Sequence, residues 1–192
     1  MLLASFILST CLAAEPSQKT YYTNVNIWYE DPEKILSTNY HRGAIIPFCS
    51  KVEIISQSKN KIIFTSEDVP GVTFTLINVP RHSMVTTGEL FKQYFIQDGP
   101  KDKNVQYSKF TQQEKDNIEN GTLTTGMSKE AVIAAYGYPP KHKTPVIASN
   151  LWTYWDARGL RKLVTFKNNQ IINLEEVKEN LESRPPWYYY VP

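Results

Sequence analysis

From Thr20 to about Val79, apolar and polar residues alternate in short runs, the period-two pattern of strands with one covered face. Tyr21–Tyr29 alternates aromatic and aliphatic residues with Thr and Asn and predicts a strand, which Asp31-Pro32 breaks. Ile45–Ile55 predicts two short strands around a kink. Ser58–Lys61 reads as a turn and Ile62–Thr65 as the next strand, so a hairpin is expected there. Pro70-Gly71 turns the chain before the alternating run Val72–Val79. Short strands at this spacing predict a small barrel or a curled sheet.

The period then changes. Thr86–Phe95 is a short helix candidate whose Leu90, Phe91 and Tyr94 would pack back on the sheet. Gln97–Asn104 is polar and rich in breakers, the best boundary in the chain. Thr111, with Glu114 three residues on, forms a capping-box pattern and starts a helix that ends at Asn120-Gly121. Ser128 is a good N-cap for a second helix, and Glu130 suits its positive end. Val132, Ala135 and Tyr136 make one apolar face, Gly137 suits the C′ position, and Pro139-Pro140 cannot continue the helix. Leu151–Trp155 is an aromatic strand, Asp156–Gly159 a turn, Leu160–Lys167 a second strand, Asn168-Asn169 a tight hairpin turn and Gln170–Leu174 a third strand. Glu175–Arg184 is charged and is expected to be a solvated helical end piece. The expected class is α+β: a small β barrel or curled sheet over residues 20–96, a linker over 97–107, and an α-α-β-β-β two-layer unit over 108–183.

Composition and charge add where the protein works. The chain has 192 residues and 41% hydrophobic content, enough for one large or two small cored units. A net charge of +2 with scattered Lys and Arg gives no basic stripe, so nucleic acid is not an expected partner. Met1–Ala14 is uncharged and mostly apolar, too short for a stable bilayer anchor, and fits a secretory signal. Leu8-Ser9-Thr10-Cys11 approximates a lipobox, which makes Cys11 the lipidation candidate and a membrane anchor. Small residues at Ala13 and Ala14 offer ordinary cleavage instead, giving a soluble periplasmic form. Either exit removes Cys11 from internal pairing, so a disulfide with Cys49 is not expected, and Cys49 reads as a small buried hydrophobe.

Two resemblances rest on particular residues. Gly43–Ile54, Gly-Ala-Ile-Ile-Pro-Phe-Cys-Ser-Lys-Val-Glu-Ile, resembles the apolar-Pro-x-Gly-Thr-x-Val segment of bacterial SH3-like domains, with Cys49 where the Gly would sit and Ser50 where the Thr would sit. The resemblance implies a binding module for peptides or cell-wall material and transfers no contact residue. Further on, Ile118-x-x-Gly121, Gly126–Val132, Tyr136–Pro139, Trp152-Thr153-Tyr154 and Val164–Asn168 resemble the BamE/SmpA/OmlA family of small outer-membrane lipoproteins. That resemblance covers residues 110–174 and implies a non-catalytic protein beside the outer-membrane assembly machinery. The same fold recurs in proteinaceous β-lactamase inhibitors, so it does not fix the function.

Candidate chemistry is thin. His41, His82 and His142 stand in no metal-ligand spacing, so neither metal nor cofactor is expected. Cys49 with His41 or His82 as base would make a cell-wall cysteine peptidase, but no strand-to-helix nucleophile turn surrounds Cys49. The expected function is non-covalent binding of an envelope protein or cell-wall component, in the periplasm or at the outer membrane. The alternative is an inhibitor or adaptor of an extracytoplasmic hydrolase. Trp152 and Tyr154, if they face solvent, are the expected binding residues. Residues 184–192, Arg-Pro-Pro-Trp-Tyr-Tyr-Tyr-Val-Pro, add Trp187 and Tyr189, as a docking tail or, preferred, as a segment packed along its own sheet or across the two domains.

Overall fold

The structure is a computed structural model that describes residues 19–38, 40–97, 99 and 104–178. The period-two half forms β1 (Tyr21–Thr23), β2 (Ile27–Tyr29), β3 (Ile35–Leu36), β4 (Ala44–Ile46), β5 (Lys51–Gln57), β6 (Lys61–Ser66) and β7 (Thr73–Ile77). A one-turn helix α1 (Pro80–Ser83), α2 (Thr87–Tyr94) and the two-residue β8 (Phe95–Ile96) follow. The sheet runs β3-β7-β6-β5-β1-β8 and curls as a half-barrel; β3 is parallel to β7, the other pairs are antiparallel, and β2 pairs with β4 apart from it. The turn at Ser58–Asn60 lies between β5 and β6 as expected, and Thr86 and Glu89 cap α2 reciprocally. Ile62, Phe64, Phe74, Leu76 and Leu90 are buried together in the core of this half.

The second half forms α3 (Val105–Lys109), α4 (Gln112–Asn120), α5 (Lys129–Tyr136), β9 (Leu151–Ala157), β10 (Leu160–Lys167) and β11 (Gln170–Lys178). The three strands make an antiparallel meander, β11-β10-β9. The capping box at Thr111 and Glu114 and the Ser128 cap are both formed. Glu114 also reaches across the helix pair: its second oxygen accepts from the Ser128 backbone N–H at 2.8 Å and from the Ser128 hydroxyl at 2.6 Å. Phe110, Ile118, Met127, Val132, Trp152, Val164 and Phe166 form the core between helices and sheet.

Several expectations change. Tyr21–Tyr29 is not one strand: β1 and β2 belong to different sheets, because Asn24 N–H donates to Tyr94 O and Asn26 N–H to Ala134 O, outside any ladder. Asp156 and Ala157 belong to β9, leaving Arg158-Gly159 as the turn. Glu175–Lys178 is strand, not helix, since β11 keeps pairing with β10 as far as Leu160↔Lys178. Part of the expected linker is helical: Asn104 caps α3 by accepting from Tyr107 N–H at 2.8 Å. Gly137 has the positive φ of 77°, but its ψ of −176° is extended.

The kink between β4 and β5 ties the two halves of the chain together. Cys49 takes φ 64°, a left-handed conformation suited to glycine and rare for other residues. Its N–H donates to Thr23 O, while the Phe48 N–H donates to Asn26 Oδ1. The bend carries Phe48 and Cys49 into the core of the helical half, where Phe48 lies against Tyr107 and Phe110.

Candidate functional site

The carbonyl end of α5 is a second place where the two halves meet. A helix leaves its last carbonyls without intrahelical partners, and here other segments supply the donors. Asn26 N–H reaches Ala134 O at 2.8 Å, Trp28 Nε1–H reaches Ala135 O at 3.3 Å, and His41 Nε2 reaches Tyr136 O at 2.8 Å. The Tyr154 hydroxyl donates to Gly137 O at 2.9 Å. Asn26 also donates through Nδ2 to Ile118 O at 2.6 Å, and so ties β2 to the end of α4 as well.

Beside this seam sits a buried ionisable group. His41 stacks on Tyr136 with ring centroids 3.9 Å apart, and its Nδ1 faces Asp156 Oδ1 at 3.3 Å. The other Asp156 oxygen takes the Lys162 ammonium at 2.8 Å, and Lys162 donates on to the Tyr136 hydroxyl at 3.0 Å. Burial pushes Asp156 up, but its hydrogen bonds to His41 and Lys162, with their charges, hold the carboxyl below its usual range. Burial likewise works against the Lys162 cation, and Asp156 and Tyr136 more than offset it, so Lys162 is raised. Burial lowers His41 and raises Tyr136 and Tyr154. The cluster is a strut, with its polar atoms directed at one another.

β9 alternates, and that alternation sorts the sequence-predicted residues. Trp152 and Tyr154 point into the core and are fully buried, so neither presents a contact surface. Trp152 Nε1 donates to Ile147 O at 3.1 Å, and Trp152 stacks obliquely on Phe166. The expectation of a solvent-facing Trp152/Tyr154 pair is therefore corrected: helices α4 and α5 cover that face. Cys11, Trp187 and Tyr189 lie outside the described residues.

The opposite face of β9 carries Trp155, half-buried and opposite Arg161 of β10. The Arg161 guanidinium lies 5.9 Å from the Trp155 ring centre, and the His142 imidazole stacks parallel to the indole at 6.1 Å. His142 is held by its Nδ1–H on His82 O at 2.9 Å, and Arg81 Nε donates to His82 Nε2 at 3.1 Å. Burial lowers both histidines, helped at His82 by His142 and Arg81 and at His142 by Lys143, so both rings are neutral at pH 7. Exposed Leu151 extends the same strand outward, and exposed Val146 and Ile147 precede it. The result is an aromatic ring flanked by a cation and a neutral imidazole, the composition enriched in protein contact surfaces. Sequence reasoning saw the aromatic run Trp152–Trp155 but not which parity faced out. The neighbouring charges did not decide it, because Arg161 and Lys162 put a cation on each parity of β10, opposite Trp155 and Tyr154 respectively.

A concavity of about 520 Å³ lies on the half-barrel and is lined by Lys19, Lys51, Glu53, Thr65 and Glu67 among others. Its charges are mixed, and among the described residues no ring or imidazole lines it. Cys49 is buried at 6% exposure in the core, and both His41 ring nitrogens face acceptors. Among the described residues, no three His, Cys, Asp or Glu side chains gather as metal ligands, and no helix is long and apolar enough to cross a membrane. Compared with known proteins, the chain matches no family model, no curated protein and no solved structure.

Proposed function

We propose that the protein is a non-catalytic component of the bacterial cell envelope that binds another protein or an envelope polymer, in the periplasm or at the outer membrane. The observation that carries this reading is the Trp155–Arg161–His142 face, an aromatic and cationic surface on a rigid strand pair. Its rigidity favours binding, because side chains already fixed lose little freedom when a partner arrives. The apolar Met1–Ala14 stretch supports export, and Cys11 is the candidate anchor. In this reading the half-barrel is the SH3-like module, and the helix pair with its meander is the BamE-like layer. The buried settings of Cys49 and His41 favour binding over peptidase chemistry.

The test is co-sedimentation of the purified protein with isolated peptidoglycan sacculi and, separately, with outer-membrane fragments. The wild type is expected to sediment with one of them. Trp155→Ala combined with Arg161→Ala is expected to weaken that binding by about tenfold or more, as for central interface residues, with an unchanged circular dichroism spectrum. Retention of full binding by the folded double variant, or a wild type that sediments with neither, overturns the proposal.

A further inference from the structure

Thr144 is buried, and residues 145–148 after it are all exposed. Val146 is 60% exposed and Ile147 44%; Leu151, where β9 begins, is 51% exposed. The Ser149 N–H returns to Val146 O at 3.0 Å, so Ile147 and Ala148 are the corner residues of a β-turn. Turn corners are usually Gly, Pro, Asn, Asp or Ser, each for its own conformational reason. Isoleucine and alanine bring no such reason to this one.

The turn is fastened from within. Trp152 Nε1–H donates to Ile147 O at 3.1 Å, and Lys129 Nζ donates to Ala148 O at 3.1 Å and to Ser149 O at 2.8 Å. The Thr144 hydroxyl accepts from Thr153 N–H at 3.0 Å and holds the approach to the turn. The carbonyls of residues 146–149 therefore all have donors inside the protein, while Val146 and Ile147 stand in water. A carbonyl can leave water for an apolar medium only when its hydrogen bond is already made.

The charge on this loop has one sign. Lys141 and Lys143 are exposed on it, and no Asp or Glu occurs between Glu130 and Asp156. Both flanking carboxylates are engaged: Glu130 accepts from Asn169 Nδ2 at 2.8 Å, and Asp156 takes the Lys162 ammonium at 2.8 Å. Glu89 of α2 lies in the field of Lys141, and its carboxylate is already the acceptor of the Thr86 N–H.

We infer that the loop of residues 141–151 is a membrane-contact element: Val146, Ile147 and Leu151 enter the headgroup region of a bilayer, and Lys141 and Lys143 meet its anionic phosphates. A bilayer fits this surface better than an acidic protein partner does. The apolar tip is a turn and not a groove, its carbonyls need no donor from outside, and the lysines need only negative charge in front of them. Two ammonium groups on flexible stems act as point charges, so they respond to the charge of the surface and not to the structure of one headgroup. The inference does not depend on what the Trp155 face binds.

The experiment is sedimentation of the full chain with protein-free vesicles of phosphatidylcholine, alone or mixed with phosphatidylglycerol or with phosphatidylserine. Residues 1–14 are common to every protein compared, so differences between them report on the loop. The wild type is expected to bind both anionic mixtures alike, about tenfold or more tightly than the neutral vesicles, with that advantage lost in high salt. Val146→Ser with Ile147→Ser is expected to weaken binding to the anionic vesicles by about tenfold or more. Lys141→Gln with Lys143→Gln is expected to weaken it by about tenfold. All four side chains are exposed, so the circular dichroism spectrum should be unchanged in both. Binding that ignores the anionic lipid, that needs one particular anionic headgroup, or that survives either pair of substitutions overturns the inference. Sedimentation with outer-membrane fragments but not with the vesicles points to a protein partner; it overturns the membrane contact and leaves the Trp155 face standing.

Discussion

Gly121→Ala tests the seam between the two halves. Gly121 ends α4 at φ 60°, ψ 40°, the left-handed region. A Cβ there would strike the Trp28 ring at Cζ2 and stand 2.5 Å from Ile45 Cδ1. The Ile45 methyl can turn aside, but Trp28 does not yield easily, since its Nε1 is bonded to Ala135 O and its ring abuts His41 and Tyr136 edge-on. The left-handed conformation costs an L-residue about 1–2 kcal/mol. Overpacking against held side chains adds roughly 1–3 kcal/mol, for a total of about 2–5 kcal/mol. Gly126 is the internal control: its φ is 92°, and nothing lies within 4 Å of its Cβ position. Gly126→Ala should therefore carry only the backbone cost of about 1–2 kcal/mol. Urea unfolding followed by tryptophan fluorescence measures both. In a Trp28→Ala background the cost of Gly121→Ala should shrink toward that of the control. Equal costs for the two alanines in the wild-type chain, or no relief from Trp28→Ala, would refute the steric argument and with it the close approach of β2 to α4.

Two other outcomes are expected from the same region. Asn26→Ala leaves the Phe48 N–H unpaired in the interior and takes from the Ile118 carbonyl its shorter bond, the Gly121 N–H staying on it at 3.2 Å, at about 1–3 kcal/mol for the amide and about 1 kcal/mol for the carbonyl. The thermal midpoint should fall by roughly 5–15 °C, and an Asn26→Ala protein melting within a degree or two of wild type contradicts the assignment. Cys49→Gly should be more stable than Cys49→Ala in urea, although it removes more atoms, because glycine relieves the left-handed φ of 64° by about 1 kcal/mol or more. The reverse order would mean that the conformation at residue 49 is not strained.

Local signals reached the local structure. The Thr111–Glu114 capping box, the Ser128 cap and the Asn168-Asn169 turn depend on neighbours a few residues apart, and each formed where the sequence placed it. The candidate site was less legible. Alternation along Leu151–Trp155 shows that Trp152 and Tyr154 share a face, but not whether helices cover it; that depends on Ala131, Val132 and Ala135 arriving from α5. His41 and Asp156 are separated by more than a hundred residues and belong to no pattern; only the fold brings them together. Residues 104–107 read as the end of a linker because Val105 and Gln106 face water, while the one ring there, Tyr107, packs on a residue from the β4–β5 bend.

That bend has a consequence for how the chain acquires its structure. Phe48 and Cys49 leave β4 well before the helices that surround them have been synthesised, and the receptor for Phe48 needs Tyr107, Phe110 and Ile118. The plug is thus made long before its socket. Closing that contact spans about sixty residues and carries the loop-entropy cost and slow approach of non-local pairing. Until it closes, a phenylalanine stands exposed on one half and an open apolar pocket on the other, complementary surfaces that two neighbouring chains could match as readily as one chain can match itself. Crowded refolding should thus favour exchange of the bend between molecules, and dilution should favour the monomer.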